Sequence, residues 1–469
     1  MRDSGLTHLL SISGLHVSAV IAATWFIAMR LFGLWPWLAL RFRLPLLAAG
    51  TSALAGIGYT VLTGAEVPTI RSCLGAVLVL AALAIGREAL SMRMVAVAAF
   101  LVMVFWPEAV VGPSFQMSFA AVISIVALHE ARAVRAFMAP REEPWWARGL
   151  RHLAMLILTG FVIELALMPI GLYHFHRAGA YGALANVIAI PLTTFVSMPM
   201  IALALLFDSV GAGAPFWWLA GASLEFLLWI AHTVSAQPGA VTHLPAMGRF
   251  GFALFVAGGL WLALWHGRIR LLGFVPVIVG ALNLGTIGAP DLLISGDGRH
   301  VGITGFPGQE LVVLRETRSD YTKSNLTELA GMNGSTRRVD DLPGARCSPE
   351  FCALDLERGG RTWHLLMARG TDWVNTRDLV AACALSDIVV ADRWLPRACQ
   401  PTVLKADRSL LAKTGGLTID LRSGTIATVA QSQGDHGWWR PEAVTRRPAR
   451  KNAGQPMPSS VPSFLPENQ

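Results

Sequence analysis

LAMLILTGFVIELALMPIGLY, residues 153–173, carries one ionisable side chain, Glu164, in 21 residues. A helix needs about 20 mostly apolar residues to cross a bilayer core. In lipid, helices and closed barrels alone satisfy every backbone polar group. The stretch therefore predicts a transmembrane helix. Working outward, residues 15–34, 44–62, 70–85, 92–106, 113–128, 182–207, 216–235, 250–265 and 271–288 read the same way, for about ten spans. The 92–106 run is short and stops at Pro107, which fits a tilted or half-spanning helix paired with the next one.

Composition supports this. The 469 residues are 54% hydrophobic and 14% charged, with mean hydropathy +0.51. An average soluble domain is about 25% charged, so the composition argues against an ordinary soluble enzyme. The charge is also uneven. Residues 1–290 hold 16 arginines, no lysine and 10 acidic residues, whereas the remaining 179 hold 22 basic and 20 acidic ones. The net charge of +8 is spread thinly over loops and does not argue for a duplex-DNA surface. It fits the arginine bias of cytoplasmic loops. With the first loop cytoplasmic, Arg30, Arg41, Arg43, Arg87, Arg93, Arg132, Arg135, Arg141, Arg148, Arg151, Arg268 and Arg270 fall inside. Arg2, Arg71, Arg177 and Arg249 fall outside. An even number of spans then places both chain ends outside.

After Pro290 short strands are predicted at 291–295, 300–304, 310–315, 353–357, 362–368, 387–391, 417–421 and 425–429, with helices at 321–331 and 377–384. Residues 291–433 thus read as a small soluble α/β domain. Residues 434–469, basic and rich in Pro and Ser, read as a disordered tail. The expected fold class is an α-helical polytopic membrane protein followed by that domain. Cys73 lies in a span and reads as a small packing residue. Cys347, Cys352, Cys383 and Cys399 lack the paired C-x2-C knuckles of a zinc ribbon. An outward-facing domain meets an oxidising compartment, so two disulfides are favoured over zinc, in any of three connectivities.

SGLTHLLSISGLHVS, residues 4–18, is unusually polar for the mouth of a membrane helix. His8 and His16 are eight apart and can share a helical face. Ser13 and Gly14 are small enough to admit another backbone or an extended ligand. The plain reading is a helix cap followed by a small-residue packing face; the functional one is a polar constriction lining a pathway. Among ionisable residues within spans, Glu164 and Glu225 are expected to be buried. They are poor partners for an anionic strand, which Arg71 suits better. Asn186, ahead of Pro191, marks a candidate broken helix whose freed backbone groups line a cavity. His174 and His176 read as outer-interface residues. Trp25, Trp217, Trp218 and Trp261 read chiefly as interface belts.

The 4–18 stretch strongly resembles the signature of the ComEC competence family. Three further segments follow in the family's order: GAEVPTIRSCLGA (64–76), WPEAVVGPSFQMSFAAV (106–122) and ELALMPIGLYHFHRAGAYGALANVIAIPL (164–192). The resemblance spans roughly residues 1–290. It implies an inner-membrane channel that passes single-stranded transforming DNA, with His8, Ser13, Gly14, His16, Arg71 and Asn186 as strand-path candidates. It also implies a periplasmic DNA receptor and cytoplasmic ATPase or strand-binding proteins as partners; a homo-oligomer is compatible with it. Family members usually carry membrane helices and an OB-like domain before the Ser-Gly-Leu-His segment, so an N-terminally truncated product is expected. Many end in a metallo-β-lactamase-like domain, whose chemistry needs a His-x-His-x-Asp-His cluster to hold metal. Here the corresponding regions are PDLLISGDGRHVGITG and SDIVVADRWL, and His300, His364 and His436 are scattered. The resemblance thus implies a degenerate relative with no catalytic metal, no cofactor and no nuclease activity. No Walker-type motif is present, so energy must come from a partner or the proton gradient. The alternatives are an intramembrane serine hydrolase using Ser13 and a small-solute permease, although no internal repeat is evident.

Overall fold

The computed structural model describes residues 4–6, 14–84, 91–179, 181–306, 310–332, 335–370 and 372–433. The chain divides into two compact units, Met1–Thr242 with Gly248–Gly285, and His243–Met247 with Thr286–Gln469.

The first unit is helical, and each of the ten predicted stretches forms helix. Six helices are long and apolar enough to cross a membrane: Gly14–Gly33, Leu44–Leu62, Trp145–Phe175, Gly182–Asp208, Ala214–Ser235 and Arg268–Thr286. A seventh is Pro113–Glu130 with Arg132–Met138, bent by 69°. Thr69–Ala84, Met92–Phe105 and Arg249–Leu264 are shorter apolar helices. Without a hydrophobic drive between helices in lipid, close packing selects small residues at the contacts. The Leu44–Leu62 helix accordingly turns Ala48, Ala49, Ser52, Gly56 and Thr60 inward. A Cβ on Gly56 would lie 2.7 Å from Ile21 Cδ1 of the first helix. Large residues such as Phe26, Leu31, Leu54 and Phe161 point outward, where acyl chains would cover them. Threonine hydroxyls fold back onto carbonyls one turn earlier, as in Thr24 to Val20 O, Thr60 to Gly56 O and Thr159 to Met155 O. This satisfies them without water.

The Gly182–Asp208 span is interrupted. Helix runs over Gly182–Leu192, a π turn over Thr193–Ser197, and helix again over Met198–Asp208. Pro191 sits within the first half and lacks the N–H that a regular helix would use.

The second unit holds two mixed sheets. One orders the strands Thr425–Thr428, Leu417–Asp420, Leu292–Ile294, Val301–Ile303, Leu311–Val313 and Thr336–Arg338; only the last pair is parallel. The other orders Leu404–Ala406, Ile388–Val390, Arg361–Ala368, Phe351–Arg358 and Arg346–Cys347, the first two pairings being parallel. One core joins their facing sides, with Leu292, Val301 and Ile303 from the first packed among Leu354, Leu365 and Ile388 from the second. Alternate residues turn the other way. Phe351, Ala353 and Leu366 meet Leu379, Ala382 and Cys383 of helix Thr376–Ala384. Leu293, Leu311 and Val313 meet Leu326 and Ala330 of helix Asp320–Ala330. The layers therefore run helix, sheet, sheet, helix. Two disulfides are present: Cys347–Cys352, directly opposed on neighbouring strands, and Cys383–Cys399. Cys73 is free and buried beside Val17 and Ile21.

Candidate functional site

The start of the Gly14–Gly33 helix is wedged between two other helices. On one side a Cβ on Gly14 would lie 2.9 Å from Ser72 Oγ in the Val67–Ala84 helix. On the other, Leu15 packs with Ala185, Ala189 and Leu192 of Gly182–Leu192. Leu6, fully buried, joins that same cluster, and a Cβ on Gly5 would come 3.0 Å from Gly182 Cα. Bulk is excluded where Gly14 faces Ser72 and where Gly5 faces Gly182. His16 is half-buried one turn into the helix, whereas His8 and Ser13 lie outside the described residues.

Arg71, next to Ser72, donates from Nη2 to Ser114 Oγ at the start of Pro113–Glu130. Its Nε is buried and has no partner among the described residues. With Ile70, Val102 and Trp106 it lines a small cleft. Two residues on, Gln116 donates from Nε2 to Val110 O at 3.1 Å. That bond orients the amide so that Oε1 faces His174 Nε2 at 2.8 Å, making Nε2 the donor. Three stretches singled out in the sequence, 4–18, 64–76 and 106–122, are thus neighbours. The fourth, 164–192, joins them through His174 and through Leu15.

Glu164 lies half-buried with its carboxylate against Gly182, where a Cβ would meet Oε2 at 2.9 Å and Oε1 at 3.0 Å. It therefore stands at the N-terminal end of Gly182–Leu192, where free N–H groups and the helix dipole favour negative charge. Asn186 sits one turn further on, with a buried Oδ1 that has no partner among the described residues. At the π turn, Ser223 donates to Ser197 Oγ at 2.9 Å, and both side chains are buried. Glu225 corrects an expectation. It was read as a buried carboxylate, but it is exposed on the outward face of Ala214–Ser235. At about 100° per residue it falls far from Ser223, Leu227 and Ile230, which define the inward face.

Of the tryptophans, Trp218 is exposed and Trp261 stacks on Trp265 at 4.8 Å. Ser72, Ser114, Gln116, Gly5 and Gly182 were not singled out as site residues from the sequence. Each lies in or beside a quoted motif, but long-range packing alone reveals its role.

In the second unit His364 Nδ1 lies 2.7 Å from Asp355 Oδ1. Asp297 accepts from the Ser295 hydroxyl and the Arg299 N–H. Burial raises the Asp297 carboxyl, but these hydrogen bonds and the nearby His300 and Arg299 charges outweigh it and hold the group below the usual carboxylate range. Among the described residues, the one group with metal-ligand geometry is Asp340 with Cys347 and Cys352, and those two sulfurs are bonded to each other. His436 lies outside the described residues.

A family described as "Competence protein" matches residues 1–269. The chain is 33% identical over 286 residues to Competence protein ComA of Neisseria gonorrhoeae, covering 58% of this chain and 37% of that protein. It is 31% identical over 245 residues to Uncharacterized protein YcaI of Escherichia coli (strain K12), covering 49% and 29%. It is 27% identical over 198 residues to ComE operon protein 3 of Bacillus subtilis (strain 168), covering 42% and 22%. The match spans well under half of each relative's length. No solved structure matches the chain.

Proposed function

This chain belongs to the competence protein family, and on that premise we propose that it acts in DNA uptake during natural competence, as a channel component passing single-stranded DNA across the bacterial inner membrane. One observation carries the reading: the convergence of the four motifs around the start of the Gly14–Gly33 helix. A path for any strand needs close approach and weak contacts, because a ligand that must leave cannot be gripped tightly. Gly14, Ser72, Ser114 and the Arg71 guanidinium supply small side chains, hydroxyls and one phosphate-compatible cation in one place.

In this reading all ten apolar helices cross the membrane, and residues 291–433 face the periplasm. Residues 434–469, read from the sequence as a disordered basic tail, lie outside the described residues. A periplasmic DNA receptor and a cytoplasmic ATPase are the partners, the second because the chain carries no nucleotide-binding motif of its own. The helix–sheet–sheet–helix layering of the second unit supports a metallo-β-lactamase-like descent, with the metal ligands replaced and no nuclease activity. The test is deletion of the gene in its host, scoring DNA accumulated in the periplasm separately from recombinants. Retained periplasmic DNA with loss of recombinants is the expected result. Undiminished recombinant yield excludes the role.

A further inference from the structure

Two stretches of the soluble unit that the sequence comparison set against the missing metal cluster meet at one end of the first sheet. A Cβ on Gly298 would lie 2.7 Å from Ala391 O, so the 295–300 loop rests directly on the 391–393 segment. Around that contact three guanidinium groups gather on one carboxylate. Arg299 Nε is 3.7 Å, Arg315 Nη1 3.5 Å and Arg393 Nε 3.6 Å from the Asp392 oxygens. Asp392 is largely buried and Arg299 is mostly exposed.

Two buried nitrogens at the same end are unsatisfied. Leu314 N donates to Val301 O at 3.0 Å, which continues the antiparallel pairing of Gly302 with Val313 and sets His300 opposite Arg315. Side chains of opposed residues lie on one face of a sheet. His300 Nδ1 and Arg315 Nε are both buried with no hydrogen-bond partner among the described residues. Buried polar atoms are nearly always paired, and each exception asks for a reason. Here they are neighbours, within a set of three cations that share Asp392. The other carboxylate at hand, Asp297, is already occupied by the Ser295 hydroxyl and the Arg299 N–H.

We propose that this sheet end binds a phosphate group at the exposed Arg299 guanidinium, with Arg315 and His300 at its edge. Arg393 donates to Gly370 O and Asp372 O and Arg315 to Ala368 O, so these two hold Asp392 in place beside the site. Guanidinium forks match phosphate oxygens in geometry as well as charge, and an added anion offsets the crowding of three like charges. The site needs no metal and performs no cleavage. With the DNA-uptake reading as its basis, the natural source of that group is the backbone of a nucleic-acid strand; free inorganic phosphate offers the same chemistry.

The test uses the full chain in detergent, with hydrogen exchange followed over 295–300 and 391–395. Inorganic phosphate in one arm and a short single-stranded oligonucleotide in the other are each titrated at low ionic strength. Protection of both loops, weakened about tenfold by Arg299→Gln, is expected. Arg299 is exposed enough that its loss leaves the fold intact, and Arg315→Lys serves as the conservative second variant. Competition of the oligonucleotide against phosphate assigns the site to a nucleic-acid backbone. Protection by phosphate alone supports the site and assigns it to the free anion. No protection by either probe, or protection unchanged in Arg299→Gln, overturns the proposal. These readouts are local to the soluble unit, so their failure is separable from failure of strand passage, which is scored by recombinants.

Discussion

Gly14 has no room for a side chain, because a Cβ there already comes within 2.9 Å of Ser72 Oγ. Gly14→Leu must push the Val67–Ala84 helix aside or fill whatever space the strand uses. Recombinant yield is expected to fall at least about tenfold, a step equivalent to about 1.4 kcal/mol, while DNA still reaches the periplasm. Ser13→Ala is expected to be mild, since a path loses only one hydroxyl. A nucleophile at Ser13 would reverse that order, with Ser13→Ala abolishing activity. Transformation of the two variants side by side decides between them. In the second unit the informative residue is Asp387. It accepts from Arg361 Nη2 at 2.7 Å, Thr402 Oγ1 at 2.6 Å and the His364 N–H at 2.9 Å. Burial works to raise its carboxyl, but those bonds and the Arg361 and His364 charges hold it below the ordinary carboxylate value. A carboxyl whose folded value lies below its unfolded value of about 3.9 stabilises fully above the unfolded value. That contribution is lost as pH falls through the folded value. Asp387→Asn turns an acceptor into a donor facing donors and is expected to cost about 2 kcal/mol near neutrality. The cost should shrink as the pH falls below the unfolded value. Hydrogen exchange over 361–368 and 386–406 of the intact protein measures both, and a pH-independent cost would contradict the assignment.

At the level of elements, the crossing of Trp145–Phe175 with Gly182–Leu192 rests on a carboxylate lying against a glycine. A Cβ on Gly182 would sit 2.9 Å from Glu164 Oε2, so Gly182→Ala forces either Glu164 or the helix start to shift. Gly182→Ala is expected to lower thermal stability in detergent by about 1–2 kcal/mol. Pairing it with Glu164→Ala should recover part of that loss, because the second change removes the obstructing oxygens. The double-mutant cycle isolates this coupling, and strictly additive effects would show that the two helices meet elsewhere. The same crossing shows what the sequence can and cannot disclose. Every apolar helix was legible, because lipid imposes one length and one composition on a span. The irregularity at Pro191 was legible too, since proline removes a helix hydrogen bond, but it takes the form of a π turn over Thr193–Ser197 within one continuous span rather than a break. The outward turn of Glu225 was not, because a span with large residues on both faces carries no periodicity to say which is inside. In the soluble unit the eight expected strands and two expected helices formed within a few residues, but Thr336–Arg338, Arg346–Cys347 and Leu404–Ala406 went unread. All three lie at sheet edges and are partly exposed, so no buried apolar run marks them and pairing with a neighbour alone makes them strands. The Arg71–Ser114 and Gln116–His174 pairs bridge 43 and 58 residues, a range at which no local pattern operates.

For the molecule as a whole, charge supports the proposed orientation. Twelve arginines lie on the loops assigned to the cytoplasm and four on the opposite side, and positively charged loops are retained inside during insertion. The assignment depends on the parity of spans rather than on their number. Counting the short helix Met92–Phe105 together with Pro113–Glu130 as one hairpin, or as two spans, leaves residue 291 on the same side. Miscounting any single helix moves it. The cysteines supply a second, independent indicator. Cys347–Cys352 and Cys383–Cys399 are both bonded, and disulfides persist in the periplasm but are rare in the cytoplasm. Reporter fusions at Asp291 and Arg141 should therefore report opposite compartments, with Asp291 periplasmic. Alkylation of the denatured protein without reductant should leave Cys347, Cys352, Cys383 and Cys399 unlabelled and modify Cys73 alone. After reductant, all five should label. A cytoplasmic reporter at Asp291 together with four freely labelled thiols would mean that one helix does not cross. The short helices Thr69–Ala84, Met92–Phe105 and Arg249–Leu264 are where to look, because even a helix of 16 residues, the longest of them, spans only about 24 Å at about 1.5 Å per residue. That falls short of a hydrocarbon core of about 30 Å, so any of them that crosses needs local thinning of the bilayer or its flanking residues.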